Sequence, residues 1–433
     1  MDDTARGLQP LWYRTAPPLP DGAVIRSGHG FDSQVVDVAV VGAGVSGLST
    51  AVHLAERGVS VTVLERAEPG AEASGRANGQ VIAGLHESPT ALMAAHGHAC
   101  GERMIAFSGG APDRLFDLVA RHGIACDAER TGWVQASRSA RGLKALEEVA
   151  SAWAARGAPV RMLNRAETAG ILGTDVYAGA LLDGRNGTIQ PLSYVRGLAA
   201  TAARLGARIH CGVAVSGIER GKDVWRIATD AGELRASHVV LAANVLASKI
   251  EGAASGVLGQ AYLTSHSVQL ATGPLDGPLR QSILPQRHSC SDTSHLRLRY
   301  FRLDRDSRFV IGGPGWLTAP DASDARSFRW LEASARRMFP QLASVPFEHH
   351  WAARDSLTAD VIPHLFEPSP GLYAVVGFNG RGLAIGTALG GDIARRIVDG
   401  AEASDSWPIT PPTSLPYALG PALRLFLRLA TGK

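Results

Sequence analysis

Lysine is nearly missing from this chain of 433 residues. Of its 43 basic residues only Lys144, Lys222, Lys249 and Lys433 are lysines, and the rest are arginines. No basic run interleaved with aromatics occurs, so the charge pattern calls for no nucleic-acid surface. Cysteine is scarce as well. Cys100, Cys126, Cys211 and Cys290 are far apart and form no CxxC pair. That excludes a paired-cysteine zinc site or a disulfide framework and leaves buried or inert thiols in a reducing compartment; no metal site is expected. No apolar stretch reaches the roughly 18 residues that a membrane-spanning helix needs. The opening MDDTARGLQPLWYRTAPPLP begins acidic and lacks the apolar run of a signal peptide. A net charge of +3 singles out no partner, and the expected location is cytoplasmic.

What is abundant is apolar and small: 45% of residues are hydrophobic and 49 are glycine. The chain is too long for one compact unit of usual size, so two domains are expected. Residues 1–34 read as an irregular arm. VVDVAVVGAG then reads as a β-branched strand ending in glycines, VSGLSTAVHLAERG as an amphipathic helix and VSVTVLE as a second strand. The crossover rule makes those two strands parallel. Residues 90–185 are helical in composition. Pro191 opens a further helix, ARIHCGVAVSGIER reads as one strand, and a meander returns to a buried strand at Val239–Ala242. SHSVQLAT, HLRLRYFRL and SRFVIGG alternate strongly, as antiparallel strands do. A helix follows over ASDARSFRWLEASARRMFP, and GLYAVVGFNGRGLAIGTALGGDIARRIVDG supplies one more strand–turn–helix.

Gly42, Gly44 and Gly47 form G-x-G-x-x-G between the first strand and its helix. Gly42 permits the tight turn, Gly44 lets backbone approach a pyrophosphate, and Gly47 lets helix and strand pack closely. The helix start, with Val45 and Ser46, offers free N–H groups to the anion. Glu65 stands 18 residues beyond Gly47, where a carboxylate can accept ribose hydroxyls. Together these predict a bound dinucleotide; Glu65 alone does not distinguish FAD from a nicotinamide. Two features favour FAD. PGAEASGRANGQV is a small-residue loop suited to passing over a large planar ligand. The turn Gly377–Gly382 precedes a helix whose positive end can face the flavin pyrimidine, although an ordinary glycine-rich turn has the same composition.

These stretches, in order, resemble the D-amino-acid oxidase superfamily, and within it the gamma-glutamylputrescine oxidase-like branch. The resemblance rests on VVDVAVVGAGVSGLSTAVHLAERG, ASGRANGQV, HVVLAAN, RYFRLDRDSRFVIGG, the run from Trp351 to Pro363 with Thr358 and Asp360, and GFNGRGLAIGTALG. It implies a mixed fold, α/β with α+β: a glutathione-reductase-type FAD-binding domain and a substrate domain whose antiparallel sheet roofs the flavin. The expected boundaries are 35–95, 186–255 and 345–400 for the FAD-binding domain, 96–185 and 256–344 for the substrate domain, and 401–433 for a tail. The expected FAD contacts are Gly42, Gly44, Val45, Ser46, Gly47, Glu65, Arg66, Ser74, Gly75, Arg76, Asn78, Gly79, Gln80, Val213, Ala242, Ala243, Asn379, Gly380, Arg381, Gly382 and Leu383. In sarcosine-oxidase relatives a cysteine bonds the flavin covalently about where Ala353 stands here, so FAD is expected to be non-covalent.

The implied reaction is oxidation of an amine or amino-acid C–N bond by hydride transfer to flavin N5, with hydrolysis of the imine. Such chemistry asks for substrate anchors more than for acid–base groups. The candidates are Arg299 and Tyr300, with Arg297 beside them, and His350 and Arg354. Alternation puts Arg297, Arg299 and Phe301 on one strand face and Leu298, Tyr300 and Arg302 on the other. Arg299 on the flavin side would bind a substrate carboxylate; a solvent-facing arginine is the plainer reading. His350 and Arg354 either line the pocket or simply pack. Oxygen-reactive relatives often place a lysine over the flavin, and none occurs between Lys249 and Lys433, so O2 and another electron acceptor both stay open. From Pro421 the tail reads as a short amphipathic helix that packs on the protein or touches a membrane surface. Two alternatives remain: a 2-hydroxy-acid dehydrogenase on the same fold, and a non-catalytic nucleotide-binding subunit.

Overall fold

The computed structural model describes residues 9–26, 31, 35–292, 298–315, 325–400 and 406–414. Arg297 and the tail helix expected from Pro421 lie outside them. Two large sheets organise the rest. In the first, of ten strands, Val35–Val41 lies between Val61–Glu65 and Gly232–Leu241, parallel to both. Its run is buried at Val36 and throughout Val38–Val41, as a central parallel strand covered on both faces must be. The helix Val45–Ala55 covers one face and is itself buried at ten of its eleven positions, because the C-terminal helix Gly382–Asp399 lies against it. Gly390 and Gly386 permit that approach: a Cβ there would stand 2.5 Å from Ser49 Cβ and 2.8 Å from Ser46 Oγ.

The second sheet has eight strands, and four consecutive ones from one edge are antiparallel: Phe347–Leu357, Leu263–Pro274, Arg308–Pro314 and Arg299–Leu303. Its two faces differ. Val268, Leu270, Phe301 and Ile311 form an apolar layer under the helix Ala325–Met338. There Phe301, Phe309 and Phe339 pack with ring centroids 5.0–5.9 Å apart. The opposite face carries Gln269, Tyr300, Arg302 and Trp351 and turns toward residues 76–80 of the first unit.

Two local expectations need correction, and two packing arrangements bear on where the units divide. The strand Phe347–Leu357 is the edge of the antiparallel sheet. The helices Pro89–His96, His98–Gly109 and Ala111–His122 put Leu92, Met104, Phe107, Leu115 and Leu118 into the core shared with Val45–Ala55. Their packing joins them to the core around the first sheet, and two of them, His98–Gly109 and Ala111–His122, lie beyond residue 95. ARIHCGVAVSGIER forms two strands, Arg208–Cys211 and Val215–Arg220, parted at Gly212, whose φ is +75°. The N-terminal arm is anchored rather than irregular. Its helix Leu11–Thr15 buries Leu11 and Trp12 against Leu192, Val310 and Trp351.

Candidate functional site

The first glycine turn is shaped by close approach. Gly42 has φ +105°, and a Cβ on it would stand 2.7 Å from Ala242 O. Gly47 is tighter still, with 2.1 Å from its would-be Cβ to Gly42 O. Gly44 caps the helix Val45–Ala55 with no side-chain partner, and Val45 N–H donates to Ser74 Oγ at 3.1 Å. Glu65 accepts from Ala43 N–H at 2.8 Å and Ala67 N–H at 2.9 Å, while burial raises its pKa. Beside them opens a cleft of about 180 Å³, walled by Gly42, Gly44, Glu65, Arg66 and Ser74 on one side and Val213, Ala242 and Ala243 on the other. Ser46 turns its hydroxyl away, toward Gly386.

The loop after Glu72 carries this groove under the antiparallel sheet. Gly75 has no room for a side chain, since a Cβ on it would stand 2.3 Å from Gly70 O. Gly79, at φ +93°, is held 2.2 Å from Ile189 O and 2.6 Å from Arg302 Nη2, both measured from a would-be Cβ. Arg76 is a brace, donating to Ala71 O at 2.8 Å and Ala352 O at 3.2 Å. Gln80 is another, donating to Cys290 O and Phe301 O and accepting from Ser291. Asn78 donates to Gln269, but its buried Oδ1 has no partner. An unsatisfied buried acceptor costs about 1–3 kcal/mol, so this atom points to a bound polar group.

The second glycine turn meets the same region from the other side. Asn379 adopts φ +52° and is buried, accepting from Thr358 N–H at 3.0 Å and donating to Thr358 Oγ1 and Gly377 O. Gly380 follows at φ +81°. Arg381 donates to Leu85 O at 2.7 Å and Gly84 O at 3.3 Å, and burial pulls its pKa down to about 10. The helix that begins at Gly382 and Leu383 has no side-chain cap, which leaves first-turn N–H groups for a ligand. His86 bonds Asn379 O and is driven down to about 3 by burial, with the Arg381 charge helping, so its ring is neutral.

Three of the four catalytic candidates are placed elsewhere. Arg299 shares the Phe301 face, because Phe301 is drawn into the apolar layer and strand alternation carries Arg299 with it. Only 9% exposed, it lies 3.6 Å from Asp292 and 5.2 Å from the Trp330 ring, on the side away from residues 76–80. His350 is on that same outer face, edge-on to Phe328 at 5.6 Å. Arg354 pairs with Glu72 and lines the dinucleotide cleft. Tyr300 alone faces the loop. Its ring lies where a Cβ on Gly312 would be, 2.0 Å from Tyr300 Cε2. Its hydroxyl bonds Ser267, and burial pushes its pKa up to about 12.

One residue on this face was not singled out in the sequence. Asp355 lies on the same strand face as Trp351 and Ala353, opposite Ser265 in the ladder. The alternation Trp351, Ala353, Asp355 is the available signal, but its meaning depends on a strand pairing with Leu263–Pro274 that local sequence does not show.

Residues 37–396 match the DAO family, described as FAD dependent oxidoreductase. The chain belongs to that family. Gamma-glutamylputrescine oxidoreductase of Escherichia coli K12 is 29% identical over 398 residues, which are 91% of this chain and 90% of that protein. The probable oxidoreductase OrdL of Haemophilus influenzae is 29% identical over 84% of this chain and 83% of its own. The crystal structure of glycine oxidase from Geobacillus kaustophilus superposes with a TM-score of 0.75 at 20% identity, covering 88% of this chain and all of that one. The protein is therefore an enzyme, an FAD-dependent oxidoreductase of the amine or amino-acid oxidase type. Its residues fit the cofactor: glycines where a side chain would fill the cradle, a carboxylate at the ribose position and an orphaned acceptor on Asn78.

Proposed function

We propose that this family member oxidises the C–N bond of an amine or amino acid, releasing an imine that water hydrolyses. The observation that carries the reading is the meeting of two surfaces. The polar face of the antiparallel sheet, with Gln269, Tyr300 and Asp355, closes over residues 76–80 and the turn Gly377–Gly382, where a ring bound beyond the dinucleotide cleft would lie. The strands Phe347–Leu357 and Leu263–Pro274 then belong to a substrate unit, and the ten-stranded sheet with its helices to an FAD-binding unit.

FAD bound there would supply a two-electron acceptor that takes a hydride at N5. The chain's own groups bind and orient. Gly42, Gly44 and the N-terminus of Val45–Ala55 would hold the pyrophosphate, Glu65 the ribose, and Asn78 Oδ1 a donor on the ring edge. The uncapped start of Gly382–Asp399 favours negative charge developing nearby. Tyr300, whose hydroxyl stays protonated at any working pH, walls the substrate side and excludes water with Trp351 and Gln269.

The thiols support non-covalent binding. Cys290 is buried in the outer apolar layer, Cys126 and Cys211 lie in the core around the first sheet with Cys100 packed against it, and Ala353 offers no sulfur on the strand facing residues 76–80. Acid precipitation should leave all the yellow colour in the supernatant; colour in the pellet would contradict this. The relative named for gamma-glutamylputrescine makes a charged alkylamine the substrate class to try first. O2 or another acceptor would reoxidise the flavin, and peroxide assays separate the two. Bleaching of the flavin by amines without oxygen tests the reaction itself.

A further inference from the structure

Asp355 is a carboxylate in an unusual position. It stands on the sheet face that Trp351 and Gln269 fasten to the carbonyl of Arg76. Its Oδ1 accepts from Ser356 N–H at 2.8 Å, and its Oδ2 would lie 3.7 Å from a Cβ on Gly380. It is thus wedged between the substrate-side strand and the second glycine turn. Tyr300, a titratable neighbour, stands beyond Ser267 on the same face.

No cation among the described residues pairs with it. Arg354, next in sequence, turns to Glu72. Arg381, next to Gly380, is committed to the carbonyls of Gly84 and Leu85. Lys249 lines the dinucleotide cleft, and His266, opposite Arg354 in the ladder, projects from the other face of its strand. Ser265 and Ser267 carry no charge. Asp355 is half-buried by area yet desolvated enough that its pKa rises to about 6, with backbone donors opposing the shift. Its carboxylate is thus withdrawn from water where the strand Phe347–Leu357 meets the turn at Gly380.

A desolvated carboxylate without a counter-charge is costly. Two backbone N–H groups fix its orientation but fill only part of its acceptor capacity, which is about four lone-pair sites. What the site lacks is a cationic donor, and a charged amine supplies one.

We propose that Asp355 recognises the substrate's ammonium group, pairing with it on binding and then accepting one N–H proton as a carboxylic acid O–H. The nitrogen lone pair is thereby freed for C–N oxidation. The proposal rests on the amine reading above and narrows it. The preferred substrates are cationic amines, and anionic 2-hydroxy acids are repelled.

The test uses holoenzyme under anaerobic conditions and n-butylamine as the probe, with binding read from the perturbation of the flavin visible band. Asp355→Asn should keep a full complement of flavin while its Kd for n-butylamine rises at least about tenfold. In the wild type the affinity should fall as pH drops through about 6, because the carboxylate is anionic above that value while the alkylammonium stays charged throughout. Tyr300 at about 12 and His86 at about 3 do not titrate in this window. Asp355→Glu should recover part of the affinity.

A flavin-replete Asp355→Asn that binds n-butylamine within about twofold of wild type overturns the proposal and leaves the amine reading standing. If that variant loses flavin, the wild-type pH profile decides, and an affinity constant from pH 5 to 8 overturns it. If no amine perturbs or bleaches wild-type flavin, the amine reading fails and this proposal falls with it.

Discussion

At the scale of single residues, position on a strand decides chemistry. Arg299 and Tyr300 are neighbours in sequence, yet one packs beneath a helix and the other faces the flavin loop. Asp292 explains why an arginine is tolerated on the apolar side. Fully buried between Arg138 and Arg299, it needs compensating charge, and removing one partner leaves it partly uncompensated. Arg299→Ala should therefore lower stability, by about 1–3 kcal/mol, and leave KM for an amine unchanged. Thermal unfolding and steady-state kinetics check both halves. A raised KM with unchanged Tm would return Arg299 to the substrate site.

Among the elements, the N-terminal arm has the clearest consequence. Trp12 donates its indole N–H to Ala77 O at 2.8 Å, stacks under the Arg302 guanidinium at 5.0 Å and meets Trp351 edge-on. It clamps the loop that carries Asn78 and Gly79. Trp12→Ala should cost about 3–5 kcal/mol and also weaken FAD retention, measured as flavin per protein after dialysis. Loss of stability with flavin fully retained would show that the arm does not hold the loop. Local pattern made much of this architecture readable. The β-branched run before Gly42 and the carboxylate at Glu65 define the dinucleotide unit because the motif's physics is contained in one contiguous stretch. Period-two alternation likewise sorted Arg299 from Tyr300 into opposite faces. It could not say which face met the flavin, since that depends on where the helix Ala325–Met338 docks. Asp355 stayed hidden for the same reason: its significance comes from the partner strand at Ser265 and the distant turn at Gly380.

For the whole molecule, the two sheets divide the work. In the proposed arrangement the ten-stranded sheet and its helices would hold the dinucleotide at the carboxyl ends of parallel strands, as open α/β sheets do. The antiparallel sheet would contribute a polar face over the reacting end. The proposed site lies between Asn78, Tyr300, Asp355 and Gly380. Whether this arrangement oxidises amines is tested by anaerobic mixing of the holoenzyme with charged alkylamines, and separately with 2-hydroxy acids. The amines should bleach the flavin's visible band and the hydroxy acids should not. Bleaching by a 2-hydroxy acid with none by any amine would contradict the amine reading.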